Sequence, residues 1–222
     1  MTISYFIGLI VKLFLLLTPF FVLSVFVATC DGMELQQRRK LSLRTGMAVI
    51  FACLILYLFG KIIFECLGIT LNAFQVGAGL VLMLNGIDMV RSSLPKNRQL
   101  PENGDPAVVP LAIPTTVGPG TIGTLLVMGA SAFDRAKELH INKLVFMPAE
   151  LCAIVIAGIG VTAMLYFSEK INDLLKDKGV RILSKLTGMY IVALAAQIIF
   201  DGVRVTKLLL LKEYLVYYRF LQ

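Results

Sequence analysis

The chain has 222 residues, 58% of them apolar and only 16% charged, with a mean hydropathy of +0.84. Soluble domains run near 25% charged, so a soluble protein is excluded; at ~20 residues per crossing, six crossings consume roughly 120 residues and leave loops rather than a second domain. The net charge of +7, from 21 Lys and Arg against 14 Asp and Glu, contains no basic run interleaved with aromatics, and it reads as loop bias and contact with anionic lipid, not as nucleic-acid binding.

In chain order, apolar runs bounded by charge predict membrane spans over residues 3–29, 45–64, 69–90, 107–131, 144–167 and 186–205. The loops are then 30–44, 65–68, 91–106, 132–143 and 168–185. The tail, 206–222, mixes Leu and Tyr with Lys212, Glu213 and Arg219 and reads as an interfacial helix. Residues 1–222 thus form a single transmembrane domain. The first, third and fifth loops carry 12 Lys and Arg and the other side 8, so the positive-inside bias places both termini on the periplasmic side. The first span has no charged leader and is too long for the apolar core of a signal peptide, so it is read as retained. Cys30, Cys53, Cys66 and Cys152 show neither CxxC nor His spacing, and the single histidine, His140, lies in a charged loop; no metal, disulfide framework or cofactor is expected.

The chain repeats itself weakly. Pro19 in span one and Pro119 in span four lie 100 residues apart, and Gly79 in span three and Gly188 in span six lie 109 apart, each glycine followed nine residues later by a polar residue. Three spans per half is an odd number, so the second half, about 107–205, must enter the membrane upside down relative to the first, about 3–90. The fold class expected is all-α, six transmembrane helices in two inverted three-helix repeats, with broken helices in spans one and four.

The breaks follow from proline. Residues 106–121 hold Pro106, Pro110, Pro114 and Pro119 with Gly118 and Gly120; each proline removes a donor and clashes with the carbonyl four residues back, and freed backbone groups survive at membrane depth only where protein or a water-filled cavity satisfies them. A half-helix restarting at Pro119 would aim the amides of Gly120, Thr121 and Ile122, with the positive dipole end, at an anion such as a carboxylate. Gly118 and Gly120 would allow close approach, and Thr115, Thr116 and Thr121 would add hydroxyls. Span one repeats the device, with Thr18 as N-cap and Pro19 at the first helical position.

Ionisable groups within spans are costly and count as functional candidates. Lys12 and Glu150 lie at depth, while Asp88 with Arg91 and Asp201 with Arg204 have the spacing of ion pairs at helix ends. Lys12, Glu150 and Asp88 are the coupling candidates. Asn85 and Gln197, deeper and uncharged, suit hydrogen bonds to a substrate or to another helix.

Gly77-Ala-Gly79-Leu with Asp88 downstream, Val108-Val109-Pro110-Leu-Ala-Ile-Pro114 leading to Gly118-Pro119-Gly120-Thr121, and Leu186-Thr187-Gly188 resemble the MarC family of integral inner-membrane proteins across all six spans. In span one the family's asparagine before the proline and its following glycine and second proline are replaced by Thr18-Pro19-Phe20 through Ser24. The resemblance implies a bacterial or archaeal cytoplasmic-membrane protein, six-spanning, of a group classed with neutral amino-acid transporters and named for an antibiotic-resistance locus. The expected function is secondary transport of a small zwitterion by alternating access, coupled to H+ or Na+, with membrane lipid as surroundings and homo-oligomerisation left open. The alternative is a non-transporting, stress- or resistance-associated membrane protein of the same type. An enzyme is not expected, since no nucleophile with its base stands at membrane depth and no phosphate-binding GxxxxGK[ST] loop exists.

Overall fold

A computed structural model describes residues 3–30, 32–91, 107–138 and 143–220; apart from short turns these are helical, with no strand among the described residues. In order they are α1 (Ile3–Leu16), α2 (Pro19–Thr29), α3 (Leu35–Leu67), α4 (Leu71–Arg91), a π-helical segment π1 (Ala107–Thr116), α5 (Pro119–Ala130), α6 (Ala132–Glu138), α7 (Lys143–Tyr166) and α8 (Ser168–Phe220). His140, read as a loop residue, lies outside the described residues.

Among the described residues, four continuous segments are long and apolar enough to cross a bilayer, Leu35–Gly60, Leu71–Arg91, Val145–Tyr166 and Lys178–Arg204; α1 and α2, bent by 40° at their junction, supply a fifth if taken together. The 107–131 run does not count as a continuous span because α5 has 12 residues, about 18 Å of helix against a hydrocarbon core of about 30 Å. That is the structural cost of its prolines. In π1 the bond from the Val117 amide to the Ala112 carbonyl, 2.8 Å, spans five residues rather than four, the wider register of a π-helix.

Charge ends a span but not a helix. Residues 35–44 and 168–185, expected as loops, are the first turns of α3 and α8, and the tail is a continuation of α8 through Phe220 instead of a separate interfacial helix. Lys, Arg, Glu and Leu are strong helix formers. A real stop appears at Gly68, whose φ of 63° gives α3 a left-handed C-terminal cap.

The helices pack antiparallel through small residues. Gly46 faces Thr162 and Gly158 faces Ile50 between α3 and α7; Gly79 faces Ile199 and Gly86 faces Val192 and Gly188 between α4 and α8; Gly120 faces Leu82 and Gly123 faces Ala78 between α5 and α4. Close backbone approach of this kind is how helices associate where no hydrophobic force separates protein from lipid. These contacts define two ends of the molecule. One holds the C-terminus of α4 and the start of α3, and is called the Asp88 end; the other holds the C-terminus of α5 and the start of α7, and is called the Glu150 end. Phe51 (67% exposed) and Phe200 (71%) represent the large apolar side chains left on the outer faces of α3 and α8, as a lipid-facing surface requires.

Candidate functional site

The two helix breaks meet. Thr121, in the first turn of α5, donates its hydroxyl to the carbonyl of Leu16 in the last turn of α1, at 3.3 Å. This carbonyl is among the last of α1, which have no following turn to bond them. Beside the junction lies a cavity of about 370 Å³ lined by Thr18 and Phe21 from the α1/α2 break, Thr115, Thr116, Gly118, Pro119 and Thr121 from the π1/α5 break, and Leu82, Asn85, Asp88 and Met89 from α4, with Leu16 and Ile191. Its size falls in the range of small-ligand sites, and it combines apolar walls with a few convergent polar groups.

Each broken helix presents its positive end to this space. The Val22 amide bonds the Thr18 carbonyl at 3.0 Å, and the Ile122 amide bonds the Gly118 carbonyl at 2.9 Å. Ile122 is therefore spent inside its own helix, contrary to the expectation from sequence. Since Pro19 and Pro119 carry no N–H, two first-turn amides per helix, Phe20 and Phe21 on α2 and Gly120 and Thr121 on α5, lack intrahelical partners. Thr18 stands in the N-cap position but its side chain makes no capping bond. Its φ of 50° and ψ of 52° are left-handed, whereas side-chain capping needs an extended residue; the Thr18 hydroxyl is buried with no partner. The Thr116 hydroxyl is already engaged, donating to the Leu111 carbonyl at 2.7 Å.

Of the residues singled out from sequence, Thr18, Asn85, Thr115, Thr116, Gly118, Pro119 and Thr121 line the cavity together, and Asp88 joins them at the solvent-exposed mouth. Pro19 and Gly120 are buried behind it, Gly120 facing Leu82 of α4. Gln197 is exposed; six residues on from the wall residue Ile191, it lies roughly 240° round the helix. Among the described residues neither Asp88–Arg91 nor Asp201–Arg204 forms an ion pair. Asp88 faces the cavity instead.

Glu150 and Lys12 do not line the cavity. Glu150 is fully buried at the other end, where it accepts the Tyr57 hydroxyl at 2.6 Å and lies 3.0 Å by both carboxylate oxygens from Nη2 of Arg135. Arg135, on α6, also donates to the Met128 carbonyl and sits 5.9 Å over the Phe146 ring. Lys12, half-buried on α1, adds a second positive charge within range. Sequence reasoning missed Tyr57 and Arg135. The available signal was a phenol within an apolar span and an arginine one short loop before a membrane-depth glutamate.

A family model for "MarC family integral membrane protein" matches residues 3–206. The chain belongs to the MarC family. It is 29% identical over 211 residues to a UPF0056 membrane protein of Methanocaldococcus jannaschii, covering 92% of this chain and 98% of the relative. It is also 28% identical over 195 residues to the UPF0056 inner membrane protein YhgN of Escherichia coli, covering 87% and 93%, and 25% identical over 207 residues to a UPF0056 membrane protein of Aquifex aeolicus, covering 88% and 92%. No solved structure matches. This MarC protein is thus a multi-pass integral membrane protein whose family includes an inner-membrane relative.

Proposed function

We propose that this MarC protein is a secondary transporter of a small zwitterion, of the neutral amino-acid class, working by alternating access. The carrying observation is the cavity, in which two helix N-termini and Asp88 face one space. Helix N-termini favour a carboxylate, the orphaned Thr18 hydroxyl adds a hydrogen-bonding group, and Asp88 supplies the opposite charge for an ammonium. Asn85 lines the same cavity. Leu82, Met89, Phe21 and Ile191 offer an apolar wall for an uncharged side chain.

Six crossings result if each broken pair, α1/α2 and π1/α5, counts as one. Packing that the halves share supports an inverted repeat: α3 lies on α7 and α4 on α8, α3 packs on π1 as α7 packs on α1, and α4 packs on α5 as α8 packs on α2, whereas α3 packs far more extensively on α5 than α7 does on α2. In the cytoplasmic membrane, with the 12-to-8 loop charge bias, the Asp88 end faces the cytoplasm and both termini the periplasm. H+ or Na+ is the coupling ion, Asp88 being the carboxylate within reach of the substrate. No enzymatic group or cofactor enters this scheme.

Liposomes containing only this protein should accumulate a labelled neutral amino acid from a panel, and Asp88→Asn should abolish that uptake. No uptake of any member, with ion gradients of either polarity, would favour the non-transporting alternative.

A further inference from the structure

We infer that Tyr57, Arg135 and Glu150 form a latch that holds the Glu150 end of the protein shut while the cavity is open at the Asp88 end. The inference rests on the transport reading for its purpose, but its geometry stands alone.

Three layers succeed one another along the helices. The cavity ends at Leu16 and Thr121. Beyond these two residues lies an apolar plug of Leu13, Leu17, Cys53, Leu125, Ile154 and Ala157, enclosing a gap of about 10 Å³, room for at most about one water. The latch comes next. Tyr57 is one turn beyond Cys53 on α3, Glu150 is one turn before Ile154 on α7, and the Met128 carbonyl that holds Arg135 is about one turn beyond Leu125 on α5. Three of the four helices that close the plug, α3, α5 and α7, therefore carry the latch, α5 through the Met128 carbonyl that holds Arg135 of α6, and releasing the latch lets the plug part.

The bonding is that of a reversible contact. A buried ion pair kept only for stability is replaceable by packed apolar groups, and a charge at membrane depth is costly. Glu150 is fully buried, whereas the Arg135 side chain is 29% exposed, so water reaches the arginine from its own end. Its Nε has no partner. Arg135 also sits on a seven-residue helix set off from α5 by Ser131. The arginine can swing out into water; the glutamate cannot.

Cys53, 2% exposed in the plug, is a built-in reporter. With Cys30, Cys66 and Cys152 replaced by Ala, a charged, membrane-impermeant methanethiosulfonate is applied to oriented proteoliposomes from one face at a time, without any substrate. The wild type should label slowly. Arg135→Gln should raise the Cys53 rate by on the order of tenfold, the effect of losing one charged hydrogen bond, from the Glu150 end only; Arg135→Lys should restore protection, and Tyr57→Phe should give a smaller rise with only a small drop in melting temperature. Unaltered Cys53 labelling in Arg135→Gln and Tyr57→Phe, or a rise equal from both faces, would overturn the latch and leave structural glue. If Arg135→Gln does not fold, Tyr57→Phe decides alone. Because no substrate is used, failure here and failure of uptake are separate results.

Discussion

The two helix breaks reach one geometry by opposite backbone routes. Before Pro119 stands a glycine in an ordinary extended conformation, φ −81° and ψ 175°, which the residue preceding a proline normally adopts. Before Pro19 stands a β-branched threonine at φ 50°, a region that such residues avoid at a cost of about 1–3 kcal/mol. The glycine sits where any residue would fit, and the strained position holds Thr18. Gly118 is thus not required by its φ and lines the cavity, while Thr18, held in the left-handed region, makes no capping bond and leaves its hydroxyl without a partner.

The largest effect should come from confusing a wall glycine with a packing glycine. A Cβ on Gly120 would lie 2.8 Å from the Leu82 Cα, so Gly120→Leu should cost more than about 3 kcal/mol and eliminate the monodisperse species on size-exclusion chromatography. Gly118→Ala should leave that peak intact and weaken ligand binding alone. Equal behaviour of the two variants would erase the distinction between the breaks. Next in size, Asp88→Asn removes a charged partner worth about 1.5–3 kcal/mol, a loss of about 10–100-fold in affinity, with no change in melting temperature because the side chain is exposed at the mouth.

How much of this was legible in the sequence depends on how local its cause is. Proline chemistry is local, so both breaks and the threonine and glycine set around Gly118-Pro119 were readable. Helix phase at a tertiary contact is not. Gly118 and Gly120 differ by two residues, yet one faces the cavity and the other Leu82. Gln197 matched Asp88 by repeat position but lies on another face of its helix. The extent of α3 and α8 was underestimated because charged side chains end an apolar run without ending a helix. Arg135 looked like a loop cation because its partner, Glu150, reaches it only after the chain has turned back.

Smaller effects sharpen the same comparison. Thr18→Gly releases the backbone strain and, after the extra chain entropy of glycine, should raise stability by about 1 kcal/mol, seen as a higher melting temperature, while losing the hydroxyl buried beside the cavity. A lower melting temperature would show that the left-handed threonine is not strained. Thr116→Val removes only the bond to the Leu111 carbonyl and should cost about 0.5–1 kcal/mol of stability with little effect on binding. A large binding loss there would mean that the hydroxyl serves the ligand first.

The most direct test of the proposed zwitterion site is competition for uptake in proteoliposomes between a transported neutral amino acid and its two halves, the amine lacking the carboxylate and the acid lacking the amine. A cavity with helix N-termini on one side and Asp88 on the other should let only the intact zwitterion compete, with both analogues weaker by about 10-fold or more. Full competition by either analogue would contradict the assignment of the helix ends to the carboxylate or of Asp88 to the ammonium.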